Sequence, residues 1–562
     1  MASIPVQGSQ ISESVTVTVM KFDPSRDMAP YPAMFTVPGQ QDMRVIDALD
    51  YVVEQLGEDV AYQWFCGSKK CGMCGVRVNG RSVLSCWEPA EPEMVIEPLP
   101  RFPVVRDLVI DRSPYETTLA RTVPLLQRSA PYGGFPERIL PSDFSETLGA
   151  TQCIECQICT SVCPAYDVTD DFAGPATIVQ IARAALDPRD CGDRATELTA
   201  SGLDSCLGCM ACSAACPTHV PYHELLSPLR QIVEDAKERP LWDRMLREAI
   251  HRVVVDRRRM RVALRLGALT RNVPLPGSLR AIASLAPNWR VRRARLPEVT
   301  PAAGTSLGKV ALLRGCVQSV VLPDVNAATA RVLAAEGYEV LAPRRQGCCG
   351  ALSMHSGRTD EGLALARRLI DDLGSIGADF LVTNAAGCGS HLKELGHLLR
   401  DDPAYRDRAA DLSARTRDIN EFLAVEKIRG VARHPLPMRV AYQDACHLLH
   451  AQGLKEAPRQ VLGSIPGLTV LEPRDQDRCC GSAGIYNLVR AKDAERLGHE
   501  KAQRVLEVSP EAYVTGNVGC LLQVTSALQK RKRPLPAFHP VELVDASIRG
   551  VPADRLTVAA RR

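Results

Sequence analysis

The sequence predicts a multidomain protein of the α+β class, in which a small mixed domain, a helical domain and a duplicated α/β unit follow one another. Two observations carry this prediction: twenty of the 21 cysteines fall into five spaced groups, and the second half of the chain repeats its own pattern. A chain of 562 residues is long enough for about three or four domains with cores of their own. Only Cys191 lies outside the five groups, and we interpret it as a loop thiol.

Charge and cysteine content narrow the function classes. A formal net charge of +3 is too low for a surface that attracts nucleic acid, so no nucleic-acid partner is expected. Disulfide frameworks belong to small secreted domains, and the N-terminal sequence MASIPVQGSQ lacks a secretion signal. No run of about 18 apolar residues occurs, so no transmembrane segment is expected. We therefore expect a cytoplasmic protein, whose contact with the inner face of the cell membrane would be peripheral.

The first 113 residues combine a strand pattern, a helix pattern and a cysteine loop. Residues 15–22 and 33–37 alternate apolar and polar positions, and residues 44–56 carry apolar residues at helical spacing. A cysteine group with plant-type spacing follows: Cys66, Cys71, Cys74 and Cys86. A tight glycine-containing loop of this spacing wraps thiolates around a [2Fe–2S] cluster. The sequence therefore predicts a β-grasp ferredoxin domain over residues 1–113, with one [2Fe–2S] cluster.

Two further cysteine groups have the spacing C-x2-C-x2-C-x3-C-P, in a mostly helical segment at 140–236. This run is typical of bacterial two-cluster ferredoxins, in which the fourth cysteine of each run binds the other cluster. The sequence therefore predicts a helical domain with two [4Fe–4S] clusters. We expect one cluster on Cys153, Cys156, Cys159 and Cys216, and the other on Cys163, Cys206, Cys209 and Cys212.

Residues 237–306 contain no cysteine and are rich in arginine. From Arg244 to Arg295, fourteen arginines face only Asp243, Glu248 and Asp256. We interpret this segment as a basic helical linker. Its arginines form either a solvated helical face or a patch for anionic lipid or an acidic partner.

Beyond the linker the chain repeats itself. The cysteines Cys316, Cys348 and Cys388 recur as Cys446, Cys479 and Cys520, at offsets of 130, 131 and 132 residues. In each copy one strand leads to the first cysteine, a second leads to a CCG sequence, and a third ends on the last cysteine. Such alternation of strands and helices predicts a parallel α/β unit with ligands at the carboxyl ends of its strands. The sequence thus predicts tandem CCG domains at 307–430 and 431–550.

Each CCG copy carries four candidate metal ligands. They are Cys316, Cys348, Cys349 and Cys388 in the first copy, and Cys446, Cys479, Cys480 and Cys520 in the second. Four thiolates suit a further iron–sulfur cluster or a zinc ion, and both alternatives stay open. In the zinc alternative His391, His447 or His450 can replace a thiolate.

No site for an organic redox cofactor is evident. No GxGxxG fingerprint opens a βαβ unit and no P-loop is present, so bound NAD, FAD or ATP is not expected. Iron–sulfur clusters accept electrons singly, whereas a flavin splits an electron pair. We therefore expect the catalytic FAD on a partner subunit, and no catalytic residue on this chain.

Longer stretches resemble known families. Residues 15–235, with CGSKKCGMCGVRVNG, RFPVVRDLVIDRS and both Cys-Pro motifs, resemble the iron–sulfur subunit of succinate dehydrogenase and fumarate reductase. Residues 144–530, with GCCGA, NAAGCGSHLKELG and RCCGSAGIYNL, resemble the iron–sulfur subunit of glycolate oxidase and, more distantly, the subunit of heterodisulfide reductase that carries this repeat. The combined layout is similar to that of a thiol:fumarate reductase subunit. The resemblance implies an FAD-containing dehydrogenase or reductase subunit docked near Cys66–Cys86, and a quinone or a membrane subunit as acceptor.

Two departures from these families matter. The succinate dehydrogenase family usually lacks the second cysteine of its last motif, whereas Cys209 is present here and completes a cubane site. Heterodisulfide reductase supplies a fifth thiolate where this chain has His391 and Gln523, which disfavours disulfide-cleaving chemistry. Our leading hypothesis is an electron-transfer subunit of a succinate dehydrogenase or fumarate reductase type of complex. The alternatives are the iron–sulfur subunit of a glycolate- or lactate-oxidising complex, and a thiol or heterodisulfide reductase acting at the CCG sites.

Overall fold

A computed structural model describes residues 13–135, 139–236, 240–269 and 296–556. The chain divides into two compact units. The first consists of Met1–Cys206 and Ala211–Leu229, and the second of Leu207–Met210 and Arg230–Arg562. Residues 1–12 of the first predicted domain and residues 237–239 and 270–295 of the predicted linker lie outside the described residues.

The first unit begins with a five-stranded sheet. Its strands are β1 (Ser14–Lys21), β2 (Tyr31–Pro38), β3 (Gly75–Val78), β4 (Arg81–Leu84) and β5 (Glu93–Glu97), in the order β2-β1-β5-β3-β4. Strand β1 pairs in parallel with β5, and the other neighbours are antiparallel. A ribbon of β6 (Val104–Arg106) and β7 (Val109–Ile110) and the helix α2 (Ser113–Arg121) follow. The strands predicted at 15–22 and 33–37 are thus present.

The apolar alternation of β1 explains how this sheet is covered. Val15, Val17 and Val19 are fully buried, because they share one face of the strand. Helix α1 (Val45–Glu54) places Leu49 and Val52 in the same apolar core, so it covers that face. At its first turn the carboxylate of Asp47 accepts a hydrogen bond from the backbone N–H of Arg44 at 2.7 Å.

The rest of the first unit is helical. Its elements are α3 (Pro141–Thr151), α4 (Ile158–Ser161), α5 (Pro164–Val168), α6 (Pro175–Ala185), α7 (Arg194–Ala200), a 3₁₀ turn (Leu203–Ser205), α8 (Ala211–Ala215) and the start of α9 (Tyr222–Ala236). Pro164, the proline of the first Cys-Pro motif, is the first residue of α5, where its missing N–H costs no hydrogen bond. Helix α6 is central, since Ile178 and Ile181 are almost completely buried.

The second unit contains two sheets, one in each CCG copy. The first sheet comprises β8 (Val299–Thr300), β9 (Gly308–Leu312), β10 (Tyr338–Leu341), β11 (Phe380–Thr383) and β12 (Thr416–Asp418), in the order β12-β11-β9-β10-β8. The second comprises β13 (Met438–Gln443), β14 (Leu468–Leu471), β15 (Ala512–Thr515) and β16 (Ala537–Phe538), in the order β14-β13-β15-β16. All pairs are parallel except that of β8 with β10. Numbered within each copy, the four parallel strands follow the same order, 2-1-3-4.

Helices surround both sheets of the second unit. The first copy contains α12 (Gln318–Val321), α13 (Pro323–Ala335), α14 (Ala351–Met354), α15 (Thr359–Gly374), α16 (Ala386–Leu398), α17 (Arg406–Arg415) and α18 (Ile419–Val425). The second copy contains a π-helical turn (His447–Ala451), α19 (Glu456–Gly463), α20 (Tyr486–Val489), α21 (Ala491–Glu507), α22 (Val518–Lys530) and α23 (Pro540–Ile548). One apolar core contains side chains of both copies, among them Val310 and Val440.

The strand order places a switch point between the first and third strands of each copy. The chain leaves β9 toward β10 on one side and leaves β11 toward β12 on the other. Crevices for ligands form at the carboxyl ends of strands at such points. Cys316 follows β9 and Cys388 follows β11, so both lie beyond the carboxyl ends of the strands that flank this point.

Two helices of the predicted basic linker belong to the second unit. They are α10 (Leu241–Val254) and α11 (Arg257–Leu269). Met260 and Leu264 of α11 are buried in a cluster with Val320 and Val321 of α12. No helix among the described residues has the length and apolar character needed to cross a membrane.

Candidate metal centres

The first cysteine group forms a loop whose backbone faces a sulfur atom. The Sγ atom of Cys66 accepts hydrogen bonds from the backbone N–H groups of Ser68, Lys70 and Cys71 at 3.4, 3.2 and 3.3 Å. The hydrogen bonds from Ser68 and Lys70 lower the pKa of Cys66 to about 6. Cys66 is therefore a thiolate at neutral pH, which is the form that binds iron.

A β-hairpin brings two more ligands of this group together. Cys74 precedes β3 and Cys86 follows β4, and the two strands pair antiparallel from Gly75 opposite Leu84. Both thiols are buried, and burial raises the pKa of Cys74 to about 12, with the neighbouring Cys86 adding to the rise. A positive metal centre would favour thiolates at this buried position.

The loop of the first group lies directly against the loop of the second group. A Cβ on Gly72 would be 2.2 Å from the carbonyl oxygen of Ile154, and one on Gly75 would be 3.3 Å from that of Cys156. Gly72 also has a φ of +72°, a conformation that side chains other than glycine rarely adopt. Only a residue without a side chain allows these two loops to approach so closely.

The structure brings together the four cysteines predicted for the first [4Fe–4S] cluster. They are Cys153, Cys156, Cys159 and Cys216, and they line one small cavity, which Cys212 of the other predicted set also lines. Burial raises the pKa of the first three thiols, and the charge of Cys216 raises each of them further. The side-chain amide of Gln180 donates to the Sγ of Cys153 at 3.5 Å, and the backbone N–H of Val220 donates to that of Cys216 at 3.3 Å.

A tyrosine marks the site predicted for the second [4Fe–4S] cluster. The hydroxyl of Tyr222 lies 3.8 Å from the Sγ of Cys206. Burial raises the pKa of Tyr222, and the charges of Cys206, Cys212 and Cys163 add to the rise. Burial likewise raises the pKa of Cys163 to about 12, and Cys206 contributes. Three of the four predicted ligands are therefore close enough to Tyr222 for their charges to act on its hydroxyl.

The fourth predicted ligand, Cys209, lies on the short segment that groups with the second unit. Its backbone loop matches that of the first motif: Glu155 and Gln157 have φ of +56° and +64°, and the equivalent Gly208 and Met210 have +60° and +66°. Left-handed residues at both matching positions turn the backbone in the same way, so the two motifs are built on the same loop.

In the CCG copies the thiols form two chains of the same order. In the first copy Cys348 contacts Cys316 with 3.5 Å between the Sγ atoms, Cys349 contacts Cys348, and Cys388 contacts Cys349. In the second copy Cys446, Cys479, Cys480 and Cys520 repeat this sequence of contacts. The hydrogen bond between the first two thiols, together with burial, raises the pKa of Cys316 and of Cys446. Adjacent cysteines thus both reach one site in each copy.

Histidines lie beside both thiol chains. The imidazole of His391 hydrogen-bonds to the backbone of Cys349, and Nδ1 of His447 lies 3.5 Å from the Sγ of Cys446. Burial lowers the pKa of both imidazoles to about 4, so both are neutral at physiological pH. His450 instead lies 3.2 Å from the carbonyl oxygen of Asp477, through Nε2. His355, which no motif marks, stacks edge-to-face on His447 with 5.1 Å between ring centroids.

The first three cysteine groups fit iron–sulfur clusters as the bound groups. Thiols with raised pKa values are protonated without metal, and a cationic centre is what favours several thiolates in one buried site. Among the described residues, no three or more histidine, cysteine, aspartate or glutamate side chains form a group that could hold a metal ion as they are placed. Within each cysteine group, thiols are buried together or contact one another in pairs. Cys191 is exposed and belongs to none of them.

The fold and these cysteine groups define an iron–sulfur protein with three kinds of module. The family model of the 2Fe-2S iron-sulfur cluster binding domain matches residues 16–117, and that of the 4Fe-4S dicluster domain matches residues 149–220. The cysteine-rich CCG domain matches twice, at residues 310–393 and 440–525. The expected ferredoxin-type domain, 4Fe–4S domain and duplicated CCG domains are thus confirmed.

Relatives then place the chain in its family. It is 32% identical over 519 residues to a subunit of the fumarate reductase (CoM/CoB) of Methanothermobacter marburgensis, covering 92% of this chain and 95% of that one. It is 34% identical over 400 residues to the glycolate oxidase iron–sulfur subunit of Escherichia coli, covering 70% of this chain and 93% of that one. A solved structure of a hypothetical protein from Helicobacter pylori shares the fold, with a TM-score of 0.57, 13% identity and 96% coverage of each chain. The chain belongs to the family of this fumarate reductase (CoM/CoB) subunit, and it is an iron–sulfur electron-transfer subunit of an oxidoreductase.

Proposed function

We propose that this chain carries electrons in a flavoprotein dehydrogenase or reductase complex of the succinate dehydrogenase and fumarate reductase type. The observation that supports this most directly is the contact between the first two cysteine loops at Gly72 and Gly75. Electrons entering at the loop of Cys66 then have a neighbouring acceptor site at Cys156. The likeness to a fumarate reductase subunit over most of the chain supports the same type of complex.

Twelve cysteines would hold one [2Fe–2S] and two [4Fe–4S] clusters, in the sets given above. Such clusters transfer single electrons, whereas an FAD on the partner subunit handles the electron pair of the substrate. The chain's own contribution is to fix charge and exclude water. Backbone N–H groups of Ser68 and Lys70 stabilise the negative charge on Cys66, and Gln180 does the same for Cys153.

The surface around the first cysteine loop supports docking of the flavoprotein there. Trp64, Phe65 and Trp87 expose 45%, 82% and 51% of their surface. Lys69 lies 5.1 Å from the ring of Trp87, which adds positive charge to the aromatic patch. Exposed aromatic side chains beside a basic group are typical of protein interfaces, so a partner could place its FAD close to Cys66.

Purification of the chain with its native partner tests this function. We expect an FAD-containing complex that oxidises succinate or reduces fumarate. The variant C86S should stop electron flow from the flavin to an acceptor, because a ligand of the first cluster is lost. The matched variant C191S removes a thiol outside the groups and should leave electron flow unchanged. A complex that is inert toward succinate and fumarate would contradict the proposed type.

A second candidate function is oxidation of glycolate or lactate, which the 34% identity to a glycolate oxidase subunit favours. The same complex would then be active on a 2-hydroxy acid and inert toward succinate and fumarate. The third hypothesis, thiol or heterodisulfide reduction at the CCG sites, makes Cys479 and Cys480 essential. Unchanged disulfide reductase activity in the variant C479S/C480S would exclude it.

For the CCG sites we propose iron–sulfur clusters, with zinc aided by His391 and His447 as the alternative. Metal analysis separates the two. Iron clearly above the roughly ten atoms of one [2Fe–2S] and two [4Fe–4S] clusters supports the first, and about two zinc atoms support the second. We further propose a cytoplasmic location that is peripheral on the inner face of the membrane, and a quinone or a membrane subunit as the acceptor.

A further inference from the structure

Helices α10 and α11 expose apolar side chains that a helix in water normally hides. In α10, Leu241, Trp242 and Met245 expose 77%, 61% and 70% of their surface. In α11, Val262 and Leu266 expose 56% and 59%. Residues 241 and 245, and residues 262 and 266, are four apart and therefore lie on the same side of their helix. Each helix thus carries an apolar stripe in contact with solvent.

The exposed apolar stripe of each helix is separate from the side by which that helix packs on the protein. The side of α11 that packs on the protein already carries its own apolar residues, Met260 and Leu264, which are buried against Val320 and Val321. On α10, Ile250 and His251 are buried instead. Helix α11 therefore has two apolar sides, and among the described residues only one of them packs against other elements.

The charges between the exposed apolar residues are positive and largely uncompensated. Each acidic residue of the two helices and of the turn between them pairs with an arginine: Asp243 with Arg247 at 3.0 Å, Glu248 with Arg252 at 2.6 Å and with Arg358 at 2.9 Å, and Asp256 with Arg259 at 3.9 Å. Arg258, Arg261 and Arg265 are exposed and make no ion pair among the described residues. They lie beside Val262 and Leu266 on α11, so the exposed face combines apolar side chains with free positive charge.

We infer that the exposed sides of α10 (Leu241, Trp242, Met245) and α11 (Val262, Leu266 and the three arginines) bind the surface of a bilayer that contains anionic lipids. An interfacial helix places apolar side chains among the acyl chains, and its arginines lie at the level of the lipid phosphates. Trp242 suits such a position, because its ring is amphipathic and prefers the headgroup region. An acidic protein surface would pair with the arginines, but it would not give the five exposed apolar side chains an apolar environment. The combination therefore favours lipid over protein.

This inference gives the proposed peripheral location a defined surface, and it does not depend on electron transfer. Vesicle binding is measured without turnover, so a failure here would leave the function in the flavoprotein complex untouched. Conversely, loss of electron transfer in a cluster variant would not alter the lipid-binding face.

The test is flotation of the full-length chain with vesicles of phosphatidylcholine, with and without phosphatidylglycerol. We expect binding only with phosphatidylglycerol, and weaker binding at high salt. The variant R258Q/R261Q/R265Q should lower the partition coefficient about a hundredfold, on the order of fivefold for each arginine. The control R531Q/K532Q/R533Q removes the same charge from an exposed turn elsewhere and should bind like the wild type.

A second variant, W242S/M245S, keeps all charges and tests the apolar contribution. Since these side chains are exposed, their loss should not affect folding, and we expect weaker binding to the same vesicles. Equal binding of all variants, or no binding to phosphatidylglycerol vesicles, would overturn the proposal. So would retention of an acidic partner protein that only R258Q/R261Q/R265Q abolishes, because the face would then be a protein interface.

Discussion

Replacement of Gly72 by alanine tests whether the first two cysteine loops depend on their close contact. Two costs add at this position. A φ of +72° costs an alanine about 1–2 kcal/mol relative to its ordinary conformations. The new Cβ would also lie 2.2 Å from the carbonyl oxygen of Ile154, and overpacking of this kind costs about 1–3 kcal/mol. We therefore expect G72A to lower the free energy of unfolding of the first unit by about 2–5 kcal/mol.

Gly57 provides a matched control for this experiment. Its φ of +71° is nearly the same, but nothing lies within 4 Å of the position of a Cβ. G57A should therefore cost only the conformational part, about 1–2 kcal/mol. Proteolysis in urea, with peptides of residues 13–206 identified by mass spectrometry, measures the first unit separately. Equal destabilisation by the two variants would refute the argument, because the contact with Ile154 would then contribute nothing.

Three further measurements test the charges of the two units. In iron-free protein, iodoacetamide should alkylate Cys66 first, because backbone N–H groups of Ser68 and Lys70 lower the pKa of this thiol to about 6. The rate of alkylation should fall as the pH drops through about 6. Equal rates at Cys66 and Cys191 would contradict this expectation. The variant D545A removes the carboxylate that binds Arg331 at 2.8 and 2.7 Å, and it should lower the free energy of unfolding by about 2–3 kcal/mol. The control D407A, at an exposed ion pair, should lower it by about 0–1 kcal/mol. Equal losses would contradict the expectation that the buried carboxylate contributes more. Burial raises the pKa of Glu542 from 4.5 to about 7, so its contribution to stability is complete below about pH 4.5 and is lost as the pH rises through about 7. Urea unfolding at several pH values should show that E542Q removes this loss. An unchanged pH dependence in E542Q would contradict the expectation.

Spacing alone predicted how the cysteines of the two Cys-Pro motifs are shared between two clusters, and this assignment stays a prediction. The C-x2-C-x2-C loop fixes three thiols locally, and the proline that follows the fourth starts a new helix, as it does at Pro164. The crossing of Cys216 to Cys153 follows from the two-cluster pattern, and the structure places these residues together. The contact between Gly72 and Ile154 could not be predicted, because it joins residues far apart in sequence and neither belongs to a motif that specifies the other.

In the duplicated half, too, local sequence patterns predicted the strands and the repeat, but contacts between distant residues could not be predicted. The offset of about 130 residues predicted two copies, and their parallel strands follow the same order. The sequence pattern suggested that α11 is part of a linker, because its arginines dominate the composition. Its burial through Met260 and Leu264 depends on Val320 and Val321, which lie beyond the linker and carry no signal of their own. The position of His355 beside His447 likewise follows from packing between elements and from no motif.

The two CCG copies also differ in a way that bears on the metal they hold. In the first copy, His391 reaches the backbone of Cys349, and its Nε2 is buried without a hydrogen-bond partner among the described residues. In the second copy the equivalent Gln523 donates to the carbonyl oxygen of Ala494 at 2.8 Å and accepts from Asn487 at 3.4 Å, so its polar atoms are already engaged. Among the described residues, a buried nitrogen without a hydrogen-bond partner therefore lies beside the thiols of each copy, at Nε2 of His391 in the first and at Nε2 of His447 in the second. The two imidazoles occupy different positions, because His391 follows the last cysteine of its copy and His447 follows the first. Because potentials and metal preference follow the donors and hydrogen bonds around a site, the two sites should not be equivalent despite their matching thiol chains.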